Sequence, residues 1–157
     1  RTDSTRVATY QITNMADCSS KAAKFPQLEG FKSSLQSLAH DWNKPGGAEA
    51  LSRWDQFMAE QLSYFLDRMS NSKENEASLL DNTVVLYGSS NSTTHNNRNY
   101  PLVLAGGADL GLQHGQYLRF DEKIPMSNLL LTMLHRVGSE QEAFSDSTND
   151  LTEILKS

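Results

Sequence analysis

The strongest constraint on the fold of this chain is a pair of continuous apolar runs separated by twelve residues without an aliphatic side chain. The runs are residues 82–87 (NTVVLY) and 100–105 (YPLVLA), and between them lies the polar loop, residues 88–99 (GSSNSTTHNNRN). Strands that are apolar throughout are typical of sheets covered on both faces, as parallel sheets are. A segment as polar as 88–99 cannot pack into a core, so it must lie at the surface.

Two helices are predicted around these strands. Over residues 48–69, apolar side chains recur at spacings of three and four and form one stripe on a long amphipathic helix. The stripe is Leu51, Trp54, Met58, Leu62, Phe65 and Met69. A second helix is predicted over 125–137, because Pro125 suits a first helical turn and Gly138 suits the position after the last one.

Shorter elements are predicted from local patterns. Residues 5–12 (TRVATYQI) are rich in β-branched and aromatic side chains and are predicted as a strand, and 116–120 (QYLRF) as a possible edge strand. The spacing of Ser139 and Glu142 fits a capping box for a short helix through Phe144. Buried strands alternating with amphipathic helices predict a single α/β domain built on a layered α/β sheet, mostly parallel.

Composition narrows the classes of protein and partner. The net charge of −5 argues against a nucleic-acid binder, which would present a basic face to the phosphates. No apolar run reaches the ~20 residues of a membrane helix, so no membrane span is predicted. Cys18 is the only cysteine, so there is no internal disulfide. The sequence gives no prediction of oligomeric state.

The polar loop is the first candidate site, and two interpretations of it stay open. It is either a surface excursion or a polar site at the end of a strand, where ligands gather in α/β sheets. In the second case His95 is a candidate metal ligand. Arg98 would bind an anion such as phosphate, sulfate or carboxylate, with Asn97 and Ser89 beside it.

A second polar pair, His40 and Asp41, precedes Trp42. Two histidines on distant segments form a candidate metal site, here His40 with Asp41 and His95. The chain has neither an H-E-x-x-H nor a C-x-x-C pattern, so the spacing adds little support. It also lacks a phosphate-binding P-loop and the G-x-S-x-G elbow of Ser-His-Asp hydrolases.

A series of motifs along the chain resembles the C-terminal part of domain-of-unknown-function family 1552, a family of exported bacterial proteins. That family is in turn distantly similar to the alkaline phosphatase/sulfatase superfamily. The motifs follow one another in order: LLDNTVVLYGSS at 79–90, HNNRNYPLVLAGG at 95–107, QYLRF at 116–120, PMSNLLLTMLHRVG at 125–138 and FSDST at 144–148.

The resemblance implies an extracytoplasmic location, periplasmic or secreted, and a longer parent protein whose upstream portion precedes this chain. It implies the C-terminal portion of an alkaline-phosphatase-like α/β/α fold. In the phosphatase and sulfatase relatives, an Asp-His pair follows the strand that corresponds to 82–87. This chain has Gly88-Ser89-Ser90-Asn91 there, and it has Asn97 where the family pattern has a second histidine.

Two functions follow as hypotheses, and whether the chain is an enzyme stays open. The first is an uncharacterised exported domain that is part of a metal-dependent phosphatase- or sulfatase-like hydrolase. In it His40 and His95 would bind zinc, calcium or manganese, with Asp41 as a further carboxylate and Arg98 as the anion clamp. The alternative is a non-catalytic binding or surface-assembly domain that kept the scaffold and lost the metal site.

Overall fold

The structure is a computed structural model that describes residues 5–11, 30–31, 34–89, 91–92, 96–99 and 101–156. Contacts divide the chain into two compact units, Arg1–Gln61 and Leu62–Ser157, each described below by itself. Within the described ranges, no helix has both the length and the apolar character that crossing a membrane requires.

The first unit is built on two helices, α1 (Leu35–His40) and the beginning of α2 (Gly47–Ser70). Ser34 caps α1 by accepting a hydrogen bond from the Ser37 amide at 3.3 Å. The unit's core consists of Leu38, Trp54 and Met58, with Phe31, Leu35, Ala50, Leu51 and Phe57 packed against them.

The predicted helix at 48–69 is observed as α2. Its apolar stripe is buried at Trp54 and Met58, as a core stripe should be. Phe65, further along the same stripe, is 49% exposed. The periodicity therefore located the helix correctly, whereas burial along the stripe is uneven.

In the second unit, the end of α2 is followed by a small hairpin that the sequence did not indicate. Strands β1 (Lys73–Glu74) and β2 (Ala77–Ser78) pair antiparallel across a two-residue turn. Asn75 in this turn has a φ of 56°, in the left-handed region that asparagine enters more readily than most residues.

The two apolar runs form strands β3 (Val84–Gly88) and β4 (Leu102–Gly106), which pair antiparallel. The register places Val84 opposite Gly106 and Gly88 opposite Leu102. The prediction of a layered, mostly parallel α/β/α sheet of alkaline-phosphatase type is therefore wrong: the sheets of the described residues are two antiparallel pairs. Parallel neighbours need a crossover connection, usually helical, and no helix lies in the described part of the segment between β3 and β4.

One face of the β3–β4 pair lies on the core of the second unit. Val84 and Leu86 alternate along β3, and Leu102 and Leu104 alternate along β4. These side chains pack with a buried cluster of Leu112, Leu129, Leu151 and Ile154. On the other face Val103 is 46% exposed, so that face is less covered at this position.

Helix α3 (Ser127–Arg136) lies in the helix predicted over 125–137 and is joined to the chain's last described segment by buried polar groups. Asn128 donates to the Thr148 hydroxyl at 3.1 Å and accepts from the Thr148 amide at 2.8 Å. The Thr132 hydroxyl accepts from the Leu151 amide and donates to the Asn128 carbonyl, both at 2.8 Å. We call these contacts the polar seam.

Three predicted elements are absent where the structure describes the chain. Residues 5–11 are exposed and form no strand, and Ile12 lies outside the described residues. Residues 116–120 form no edge strand, and the Gln116 side chain donates to the Glu153 carbonyl at 2.8 Å. The short helix through Phe144 does not form either, and the Gln141 carbonyl of that segment bonds with a side chain of α3.

The polar seam yields a stability prediction. Replacing Thr132, which is 0% exposed, with valine keeps the shape but leaves the buried Leu151 amide without its acceptor. We expect Thr132→Val to lower the free energy of unfolding by about 1–3 kcal/mol, the cost of orphaning a buried donor. Urea unfolding followed by circular dichroism measures this change.

The matched control is Thr152→Val, the same chemical change at an exposed position of the 3₁₀ helix Thr152–Ile154. We expect it to shift the free energy of unfolding by less than about 0.5 kcal/mol. Equal effects of the two substitutions would show that the seam does not hold α3 in place.

Candidate functional site

The β3–β4 pair brings the two ends of the polar loop together. Gly88, the last residue of β3, lies opposite Leu102. A Cβ atom at Gly88 would lie 2.5 Å from Cδ2 of Leu102 and 2.9 Å from the carbonyl oxygen of Pro101. The absence of a side chain at Gly88 therefore allows the strands to meet closely at the point where the loop begins.

Ser92 joins the two arms of the loop by hydrogen bonds. Its amide donates to the Asn96 carbonyl at 2.6 Å, and its hydroxyl lies 2.8 Å from the Arg98 carbonyl and 3.2 Å from that of Asn96. The single hydroxyl proton favours the shorter contact, to Arg98. On the first arm, the Ser89 hydroxyl accepts from the Asn91 amide at 3.2 Å, which makes a local turn.

Apart from the half-buried Ser92, the loop's described side chains face solvent. Asn96, Asn97, Arg98 and Asn99 are all exposed, and so is Ser89. Three predicted anion-binding residues, Ser89, Asn97 and Arg98, thus lie on one hairpin loop with exposed side chains. Arg98 is the only Lys, Arg, Asp or Glu among residues 88–99, so the loop is a positive point on a chain of net charge −5.

A hydrogen-bonded turn at residues 78–81 precedes the end of the β3–β4 hairpin opposite the polar loop. The Ser78 amide and hydroxyl donate to Oδ2 of Asp81 at 3.0 and 2.6 Å, and the Asp81 amide donates back to the Ser78 hydroxyl at 3.1 Å. The Ser78 side-chain hydrogen bond, followed by its backbone one, lowers the pKa of Asp81. Gly106 at the end of β4 has a φ of 73°, and a Cβ there would lie 2.1 Å from the Thr83 carbonyl oxygen.

The other predicted metal-binding pair belongs to the first unit. His40 is the last residue of α1, and its side chain is exposed. Asp41 follows as the C-cap, and its carboxylate forms an ion pair with Lys44 at 2.8 Å. The Lys44 and Asp41 side chains of that ion pair are 66% and 44% exposed, so it adds little stability but does occupy the carboxylate.

The predicted metal centre of His40, Asp41 and His95 stays a prediction. His95 lies outside the described residues. Among the residues that are described, no three His, Cys, Asp or Glu side chains are grouped so as to hold a metal ion. His40 and Asp41 are adjacent in sequence and supply at most two of the ligands.

An aromatic cluster in the first unit borders a shallow groove. The rings of Phe31 and Trp54 meet edge to face with centroids 5.4 Å apart, and the Arg53 guanidinium lies 5.7 Å from the Phe31 centroid. The groove has a volume of about 290 Å³. Its lining is Phe31, Arg53, Gln56, Phe57 and Glu60.

Sequence reasoning missed two residues that organise polar groups. Ser92 has no signal beyond the general polarity of its loop, because its partners depend on how the hairpin closes. The only sequence signal at His135 is its place near the end of a predicted helix, where a basic side chain complements the helix dipole. In the structure both of its ring nitrogens have hydrogen-bond partners, one of them Asp150, fifteen residues away.

Comparison with known proteins adds no relative to this description. The chain matches no protein-family model, no curated protein and no solved structure. The resemblance to family 1552 therefore stays a prediction from the motifs, and the function must be argued from this chain's own residues.

The fastening of the loop by Ser92 can be tested directly. We expect Ser92→Ala to accelerate hydrogen exchange of the amide at residue 92 by about 2- to 10-fold, corresponding to the ~0.5–1.5 kcal/mol of one hydrogen bond. The reason is that loss of the hydroxyl contact frees the arm carrying Arg98. Amide exchange followed by NMR gives the measurement.

Ser92→Thr is the control, because it keeps the hydroxyl, and its exchange rate should stay near that of the unsubstituted chain. If alanine and threonine at position 92 give the same rate, the hydroxyl does not hold the loop.

Proposed function

We propose that the chain is a non-catalytic binding domain of an exported protein, and that its polar loop binds an anionic group through Arg98. The observation that supports this proposal is the exposed Arg98 side chain on a loop whose backbone is joined to the Ser92 hydroxyl. A guanidinium binds carboxylate, sulfate or phosphate oxygens through two parallel hydrogen bonds.

The loop's backbone contacts strengthen this argument. The Ser92 hydroxyl bonds with the carbonyl of Arg98 itself, so the residue that would bind the anion has a restrained backbone. Restraint before binding reduces the ordering cost that a flexible loop would incur. Asn97 and Ser89 add neutral donors without adding a competing negative charge.

The hydrolase and the exported location are proposals that rest on the family resemblance. For the hydrolase, the ligand set His40, Asp41 and His95 would have to bind zinc, calcium or manganese. Asp41 would have to leave Lys44, to which its carboxylate is paired at 2.8 Å. We therefore place anion binding first.

The anion-binding proposal is tested by adding inorganic phosphate, sulfate or acetate to the ¹⁵N-labelled chain at constant ionic strength. We expect saturable shifts at the amides of residues 96–99. Arg98→Ala should weaken binding by about tenfold or more, because hydrogen bonds to a charged group contribute about 1.5–3 kcal/mol. Arg98→Lys should recover only part of the affinity, because the ammonium group of lysine cannot make the two parallel hydrogen bonds of a guanidinium.

Arg119→Ala is the matched control, because Arg119 is exposed and lies outside the loop. Its affinity for the anions should equal that of the unsubstituted chain. Equal weakening by Arg98→Ala and Arg119→Ala would reduce the effect to general charge attraction and refute the proposed site.

A metal titration of the same ¹⁵N-labelled chain distinguishes the hydrolase from the non-catalytic binding domain. Binding of zinc, calcium or manganese tighter than millimolar, lost in both His40→Ala and His95→Ala, would support a metal centre and count against the non-catalytic proposal.

A further inference from the structure

His135, in the last turn of α3, lies between two acceptors from different parts of the chain. Its Nδ1 is 2.9 Å from Oδ2 of Asp150, and its Nε2 is 2.7 Å from the carbonyl oxygen of Gln141. Asp150 belongs to the segment that carries the polar seam, and Gln141 lies in the stretch after α3, residues 139–144, which we call the exit segment.

Both partners are acceptors, and this favours the charged form of the ring. A carboxylate and a carbonyl oxygen cannot donate, so each ring nitrogen must carry a proton for both contacts to be hydrogen bonds. The hydrogen bond to Asp150, followed by the one to Gln141, raises the pKa of His135, while partial burial and the charge of Arg136 oppose the rise. The geometry observed is thus that of an imidazolium.

The positive charge of His135 stabilises the Asp150 carboxylate. Its second oxygen, Oδ1, is buried and has no hydrogen-bond partner among the described residues. A buried carboxylate oxygen without a donor is costly, so the pairing of Oδ2 with His135 is the carboxylate's main compensation. Glu140 and Glu142, which flank Gln141 in the exit segment, add negative charge next to that carbonyl in the sequence.

We propose that His135 is a pH-operated latch, which holds the exit segment against α3 when the ring is protonated and releases it when the ring loses a proton. A neutral imidazole has one N–H and can satisfy only one of the two acceptors. The charged Asp150 carboxylate is the stronger acceptor and keeps the proton on Nδ1. The lone pair of Nε2 then faces the Gln141 carbonyl oxygen, and the two repel.

One remaining hydrogen bond lies within the exit segment, from the Gln141 amide to the Ser139 hydroxyl at 3.3 Å, and joins it to nothing outside. The others hold its ends. At one end the Ser139 amide donates to the Leu134 carbonyl at 3.0 Å, and at the other the Phe144 amide donates to the Ser147 hydroxyl at 2.8 Å. Release therefore concerns residues 140–143. Because the pKa of His135 is raised on folding, the stabilisation is fully present below the ordinary histidine pKa of about 6.5 and is lost as the pH rises through the raised value.

The experiment follows the full chain by NMR from pH 5 to 9. We expect the His135 ring and the amides of residues 140–143 to titrate with one common midpoint, above that of an ordinary histidine. Through this transition the order parameters of these amides should fall from about 0.85 to below about 0.6. The amide of the fully buried Leu112 should not change. A ring titration with no accompanying change at residues 140–143 would overturn the latch.

Two variants separate the latch from a general pH effect. Asp150→Asn removes the carboxylate's charge, so the ring and the exit segment should both shift to a lower midpoint together. His135→Gln removes the titrating group, so the transition should disappear, whereas it should persist in the control His114→Gln. A transition that survives His135→Gln, or one that does not follow the ring in Asp150→Asn, would refute the proposal.

Discussion

The antiparallel pairing of β3 with β4 is the constraint on which the second unit depends. It places Val84, Leu86, Leu102 and Leu104 on one face, where they cover the cluster around Leu112. The same pairing brings Gly88 opposite Leu102, so the polar segment between them must be a hairpin loop. A slip of one residue would turn the apolar face away from the core, so the core fixes the register and the register fixes the loop.

Polar contacts complete what the apolar core begins. Asn128 and Thr132 are buried, and each satisfies backbone groups of the segment that follows α3. Such contacts add modest net stability, but an alternative arrangement would leave buried donors unpaired. His135 extends the same principle to the helix end, with the difference that its contacts depend on a proton. Helix α3 is therefore joined to the following segment in two ways. The hydrogen bonds of Asn128 and Thr132 do not depend on a titrating group, whereas those of His135 do.

Helices α2 and α3 could be predicted because their signals are local. The stripe from Leu51 to Met69 and the end marked by Gly138 depend on spacing and backbone freedom alone. The two apolar runs were located as strands, but the direction of their pairing was misread. Val85, Tyr87 and Val103 are apolar although they lie on the less covered face, and this made the runs look buried on both sides. A loop without a helical pattern was the sign that a parallel crossover could not form.

The sequence predicts where the candidate site lies but not which contacts form in it. Sequence polarity indicated the loop and its Arg98, whereas the role of Ser92 depends on which carbonyls the closed hairpin brings near it. The pairing of His135 with Asp150 likewise depends on the tertiary path of the chain after α3. Local rules cannot reveal contacts of this kind, because the partners share no fixed spacing.

The direction and register of β3 and β4 can be measured directly from Hα–Hα cross-peaks in a NOESY spectrum of the full chain. In an antiparallel pair, alternate opposing residues approach to a Cα separation of about 4.5 Å, which places their Hα atoms in contact. The account predicts strong cross-peaks at one of two alternating sets, either Val85–Ala105 with Tyr87–Val103, or Leu86–Leu104 with Gly88–Leu102. Cross-peaks displaced by one residue, or none at either set, would contradict it.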